Sequence, residues 1–226
     1  MLPVIDTIYF YADYLKSLCC FCNAKTIVEI GVQHGNTTLK LCEAAKFTNG
    51  CVYGYDYFEP IGAYGDMGLN KENIENLLKS KYNSSLFKIT KTNTFLDSFS
   101  ELLKTDTSGS IDFAFIDGCH SYNGITNDFL KVYPLLSETG IIAFHDTYSH
   151  TGCRLFVIDL YTKYNDGTFD VINLPFGGGR ERYGLTILVK RSYPLYKAGI
   201  IYENHDLNIK KEDVYNIERN WYEKKN

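Results

Sequence analysis

The sequence predicts an α/β chain: a doubly wound, mostly parallel sheet with helices on both faces, finished by an antiparallel hairpin. Three observations predict it. Apolar, β-branched runs alternate with stretches of helical periodicity from Thr26 to Tyr164, the pattern of a parallel sheet covered on both sides. The first strand, with Ile27, Val28 and Ile30, runs directly into Gly31 and Gly35, a turn that lets backbone approach a ligand and aims free N–H groups at it. Phe169–Leu174 and Leu185–Val189 lie too close in sequence for a crossover helix, so they must pair antiparallel.

The elements follow in order. Residues 6–23 place Ile8, Tyr11, Ala12, Leu15, Leu18 and Cys19 at helical spacing, a lead-in helix. After the first strand, Thr37–Lys46 reads as a helix ending near Asn49-Gly50, and Cys51–Tyr55 as a strand closed by Asp56. A glycine-containing loop with Pro60, Asp66 and Met67 precedes a helical stretch over 71–82, and it has the composition of a lid. Then come a strand at Leu86–Thr90, a helix at Phe95–Leu103 and a strand at Ile111–Ile116 ending on Asp117. A helix over 122–136 has Ile125, Phe129, Val132 and Leu136 on one face, ahead of a strand at Ile141–Phe144 and a helix at Cys153–Tyr164. The spacing thus gives one domain over 1–192, including the lead-in segment 1–23, and a polar, part-helical extension over 193–226.

Composition narrows the class. At 226 residues and 45% hydrophobic content, one full core is expected. A net charge of −4 with scattered Lys and Arg gives no nucleic-acid-binding stripe. No apolar run reaches membrane-spanning length, and Met1–Asp6 lacks the basic start of a signal peptide. The seven cysteines sit mostly in apolar runs, as free thiols of a reducing, cytoplasmic protein would. Cys19-Cys20-Phe21-Cys22 has no second pair at zinc spacing, so core packing is the better reading.

In a sheet of this kind ligands bind beyond the carboxyl ends of the strands, so the chemistry is expected after residues 31, 56, 91, 117 and 145. At the first turn the spacing is Gly31-x-x-x-Gly35, without the middle glycine that a pyrophosphate needs. Glu29 would repel a pyrophosphate and suits a ligand carrying an ammonium group. Asp56, 25 residues after Gly31, can accept both hydroxyls of a ribose. Four of the five histidines, His34, His120, His145 and His150, fall in loops of the same edge.

The set Val28-Glu-Ile-Gly-Val-Gln-His-Gly35, Tyr55-Asp56, Ile116-Asp-Gly-Cys-His-Ser-Tyr122 and Gly140-Ile-Ile-Ala-Phe-His-Asp146 resembles class I S-adenosylmethionine-dependent methyltransferases. Within them it is most similar to the small-molecule and sugar O-methyltransferases that include macrolide-sugar methyltransferases and cephalosporin-hydroxylase-like proteins. The resemblance covers about residues 24–190 and implies a Rossmann-like sheet of order 3-2-1-4-5-7-6. It places Glu29, Gly31 and Gly35 around the methionine part of the cofactor, Asp56 on the ribose, and Thr94 near the adenine. Asp117 falls on a position that serves cofactor, metal and catalysis, and His120 on that of a catalytic base, which would take the proton of an attacking hydroxyl. Asp117, His145 and Asp146 fall where several members hold a divalent ion. His145 departs from the pattern, because those members usually carry Glu there; nitrogen suits Mn²⁺ or another transition ion better than Mg²⁺. The alternative, in which Asp117 caps the next helix and Asp146 orders a loop, stays open.

The expected function is S-adenosylmethionine-dependent O-methylation of a small molecule or saccharide, with Mg²⁺ or Mn²⁺ as a candidate second cofactor. Arg180 and Arg182 in the hairpin loop could hold an anionic acceptor, or be solvated turn charges. The lead-in helix and tail are the segments that could form a homo-oligomeric interface. The rivals are a nicotinamide-dependent oxidoreductase, disfavoured by Glu29 and the glycine spacing, and a non-catalytic S-adenosylmethionine-binding protein.

Overall fold

The computed structural model of the chain describes residues 10–59, 70–175 and 183–191. Seven strands of the described residues form one sheet: β1 (Thr26–Ile30), β2 (Cys51–Asp56), β3 (Phe87–Lys91), β4 (Ile111–Ile116), β5 (Leu136–His145), β6 (Phe169–Leu174) and β7 (Leu185–Lys190). Their order is β3-β2-β1-β4-β5-β7-β6, parallel through β5 and antiparallel where β7 meets β5 and β6. This is the expected Rossmann-like arrangement with its terminal hairpin.

Among the described residues, six helices cover the sheet: α1 (Phe10–Phe21), α2 (Asn36–Thr48), α3 (Lys71–Lys79), α4 (Ser98–Asp106), α5 (Tyr122–Val132) and α6 (Thr151–Asp159). They divide between two apolar layers because strand side chains alternate between faces. Leu15, Leu41 and Leu78 from α1–α3 pack with Ile27, Phe113 and Phe115 on one face. Leu103, Phe129 and Phe156 from α4–α6 pack with Val28, Ala114 and Phe144 on the other. Phe113, Phe115, Phe144 and Phe156 are fully buried, and each contributes roughly 1.5–3 kcal/mol of burial free energy.

Some boundaries differ from the sequence expectation, each for a local reason. Helix α4 starts at Ser98 rather than 95, because the Asn93 side chain accepts the Phe95 N–H and closes a turn first. Helix α5 stops at Val132; Pro134 lies in the 3₁₀ turn Tyr133–Leu135 that follows. Strand β5 begins five residues early, at Leu136, with a register shift opposite Ile111 and Phe113. Helix α6 starts at Thr151 and gives way to a π turn over Leu160–Tyr164. The lid segment 60–69, Arg180, Arg182 and the extension 193–226 lie outside the described residues.

The carboxyl edge is drawn together by one close approach. Gly31 has φ +94°, and a Cβ there would overlap the backbone carbonyl of Asp117. Its N–H donates to Tyr55 O at 2.9 Å, and the Asp117 N–H donates to Ile30 O at 2.8 Å. The first turn is thereby fixed against the ends of β2 and β4. Gly31→Ala is expected to cost at least about 1–3 kcal/mol from its backbone conformation alone, before the overlap is relieved. Urea denaturation measures it, and an unchanged midpoint would show that the β4 end can retreat freely.

Candidate active site

Glu29 lies at the end of β1, wholly buried, with Thr38 Oγ1 of α2 donating to its Oε2 at 2.6 Å. Its Oε1 has no hydrogen-bond partner. Burial, with Asp117 and Asp56 nearby, holds its pKa well above the usual carboxylate range. An ammonium group brought to this carboxylate would favour its ionised form.

Asp56 braces the same turn. Its Oδ2 accepts the N–H groups of Val32 and Gln33 at 2.8 and 2.9 Å, and its Oδ1 accepts the Phe58 N–H at 2.7 Å. Oδ2 is thus fully engaged with backbone, and only Oδ1 has a second lone pair to offer. Gly35 begins α2 at φ +75°. Thr94 turns its carbonyl to α5, where Asn127 Nδ2 and Lys131 Nζ donate to it at 3.1 and 2.6 Å. Beside them Asp128 is fully buried with Oδ2 unpartnered, and burial raises its pKa to about 6.

A second group forms where β4 and β5 end side by side. Asp117 Oδ1 lies 3.3 Å from His145 Nδ1 and 3.4 Å from His120 Nε2. Asp146 Oδ2 lies 3.5 Å from His145 Nδ1, 3.2 Å from His120 Nε2 and 3.8 Å from His150 Nδ1. Ser149 Oγ donates to Asp146 Oδ1 at 2.7 Å and lies 3.0 Å from His150 Nδ1. Asp146 takes up φ +58°, a left-handed conformation that a non-glycine residue adopts at a cost, most often where function fixes it.

The charges explain one another. Burial opposes ionisation of both carboxyls, yet the neighbouring imidazoles outweigh it: the Asp117 pKa is lowered, and that of Asp146 falls to about 2. For His145, 9% exposed, burial opposes the positive charge, and Asp117 and Asp146 raise its pKa to about 10 against it. The hydrogen bond to Asp117 raises the His120 pKa despite burial. Tyr11 of α1 covers His145 with ring centroids 4.3 Å apart, and Phe115 and Tyr183 flank it at 6.1 Å.

Despite these ion-pair distances, both ring nitrogens of His145 are buried without a hydrogen-bond partner. An orphaned Nδ1 facing two carboxylates fits a cation. Two sets of three side chains offer donor atoms within 4.8 Å of one another: Asp117, His145 and Asp146, and His120, Asp146 and His150. The first is the set the sequence singled out.

The structure therefore brings Glu29, Gly31, Gly35 and Asp56 to one turn and Asp117, His120, His145 and Asp146 to one cluster beside it. His34 is exposed and has no place in that cluster. Tyr11, legible only as an apolar-face position of the lead-in helix, and Ser149, whose only signal was its place in the loop after Asp146, were not assigned to the site from sequence.

These features define a doubly wound α/β fold with an acidic and imidazole centre at the carboxyl edge of its sheet. The sequence pattern of the family described as methyltransferase domain matches residues 28–147, more than half of the chain. The protein belongs to that family. Among solved structures, the O-methyltransferase from Bacillus cereus in complex with SAH has a TM-score of 0.65 at 16% identity over 84% of each chain. The O-methyltransferase TomG from Streptomyces achromogenes, in complex with SAM, has a TM-score of 0.64 at 15% identity over 80% of this chain and 79% of its own. Cofactor-bound Rv0187 from MTB has a TM-score of 0.64 at 16% identity over 84% of each chain. No curated protein matches by sequence.

The charge cluster sets a pH window in the ion-free protein. The folded pKa of Asp146, about 2, is below its ordinary 3.8, so its stabilisation is whole above about pH 4 and lost as pH falls toward 2. The folded pKa of His145, about 10, is above its ordinary 6.5, so its stabilisation is whole below 6.5 and lost as pH rises toward 10. The excess thermal stability of the wild type over Asp146→Asn should accordingly be greatest between about pH 4 and 6.5. A difference that is flat from pH 5 to 9 would contradict the pairing.

Proposed function

We propose that the protein transfers the methyl group of S-adenosylmethionine to a hydroxyl oxygen of a small molecule or saccharide. The observation that carries this is the adjacency, across the Gly31–Asp117 approach, of a cofactor turn and a carboxylate–imidazole cluster. Family membership supports methyl transfer, and the likeness to proteins named as O-methyltransferases supports oxygen as the receiving atom. The cofactor supplies an already activated sulfonium methyl, and a divalent ion, where bound, supplies Lewis acidity that lowers the pKa of an acceptor hydroxyl.

The chain's own residues have four tasks. Glu29 meets the ammonium group of the methionine moiety, and Gly31 and Gly35 let it approach. Asp56 holds the turn and offers the one remaining lone pair of its Oδ1 to a ribose hydroxyl, while Thr94 and its α5 supports wall the adenine side. Asp117, His145 and Asp146 would hold the ion. One of the two partly exposed imidazoles, His120 or His150, takes the hydroxyl proton as donor and acceptor are held in line.

S-adenosylhomocysteine should raise the melting temperature and NAD(P) should not; the reverse would return the nicotinamide reading. Asp56→Ala should weaken S-adenosylhomocysteine binding by about tenfold or more, since it removes both the brace and a charge-assisted acceptor. Unchanged affinity, measured by isothermal titration, would remove Asp56 from the cofactor site. Transfer of labelled methyl to a panel of vicinal diols and sugars then separates an enzyme from a binding protein.

A further inference from the structure

The two outer strands of the sheet are finished differently. At one edge β3 carries Lys88 and Lys91 with exposed side chains, the ordinary guard against pairing with another chain. At the other edge β6 has no lysine, no proline and no break in its register with β7. Its one charged residue, Asp170, is gripped through both carboxylate oxygens by the Arg191 guanidinium, whose Nε lies 2.6 Å from Oδ2. β6 thus presents an edge without unpaired charge.

The backbone along that edge forms an outward row. The Arg191 N–H donates to Thr168 O at 2.8 Å. Following the antiparallel register from there, Asp170, Ile172 and Leu174 bond to β7, while Phe169, Val171 and Asn173 turn their N–H and C=O groups away from it. Among the described residues one side chain reaches the row: the Tyr161 hydroxyl donates to Val171 O at 3.4 Å, held beside the strand by Asn173 Nδ2 at 2.8 Å. Apolar side chains flank the row on both faces of the sheet. On the α6 side Leu155 and Ile158 lead at helical spacing into Tyr161 of the π turn. Val171 packs on that face and Leu174 on the opposite one, which Ile172 therefore shares. Leu155, Ile158, Tyr161 and Ile172 are each about half exposed.

We propose that the β6 edge is the surface on which two copies of this chain pair, antiparallel about a two-fold axis at Ile172, joining their sheets into one. An outward row of backbone donors and acceptors is matched by another strand. A two-fold axis sets a surface against itself, and like charges directly opposite one another are destabilising. The neutral β6 edge meets that condition and the lysine-bearing β3 edge does not. With the axis at Ile172, that residue meets its own copy, and Val171 exchanges N–H···O bonds with Asn173 of the second copy. The rotation keeps the faces of the sheet, so the Leu155–Ile158–Tyr161 stripe meets the same stripe of the second copy. It also points the two carboxyl edges in opposite directions, clear of the interface. The pairing is independent of the reaction assigned above.

Sedimentation velocity of the full chain tests it. The wild type should be a dimer, and Ile172→Lys, which sets two lysines against each other, should weaken dimerisation by about tenfold or more. Val171→Pro should also release monomer, since proline removes an outward N–H and no bond of the β6–β7 ladder. Circular dichroism checks that both variants fold, and Ile172→Lys carries the test if Val171→Pro does not fold. Ile172→Cys should cross-link into a covalent dimer under diamide faster than the wild type with its own seven cysteines. In hydrogen exchange the amides of Val171 and Asn173 should be protected in the wild type and open in Ile172→Lys. A monomeric wild type would overturn the proposal; protected Val171 and Asn173 amides in that monomer would show the edge to be covered from within its own chain. A dimer indifferent to Ile172→Lys would place the interface elsewhere and overturn it as well.

Discussion

Two carboxylates, Asp117 and Asp146, lie at the ends of neighbouring strands, and burying them side by side requires positive charge between them. Adjacent parallel strands are about 4.8 Å apart, so like charges at their ends repel unless compensated. His145 supplies that compensation from β5 itself, with His120 adding to it from the loop after β4. The rest of the edge is arranged around this group. Tyr11 of α1 covers His145, Ser149 restrains Asp146, and Gly31 fits against the Asp117 carbonyl because it has no Cβ.

The same constraint links the two halves of the site. Because Gly31 and Asp117 touch, the carboxylate of Glu29 is electrostatically coupled to that of Asp117, on the face shared with α1 and α2. A cationic cofactor group placed over the first turn would favour the ionised form of Glu29, whose pKa burial holds well above the usual range. Attraction of that kind draws in an ammonium group and disfavours a pyrophosphate, which agrees with the glycine spacing of the turn.

Much of the fold was legible in the sequence because its signals are local. Ile111–Ile116 and Phe169–Leu174 have the same bounds in the sequence reading and in the structure, since apolar runs bounded by turn residues read directly as strands. The errors lie where side chains compete with backbone, as at Asn93 before α4, or where proline shortens a helix, as at the end of α5. The site was legible as residue types at strand ends. Its partnerships were not, because which nitrogen faces which oxygen depends on rotamers set by packing across the chain.

By itself the sequence determined the α/β class, the terminal hairpin, the family resemblance and the strand ends at which chemistry would gather. It could do so because strand and helix periodicities, and the glycines between them, act over a few residues. Only the tertiary structure decided that Asp56 braces the turn with both oxygens, that Tyr11 from the far N-terminal side roofs His145, and that His120 faces two carboxylates while His150 leans on Ser149. These are contacts between atoms distant in the chain or turned by side-chain torsions. Their geometry is settled by the close packing of the carboxyl edge, which no spacing of letters encodes.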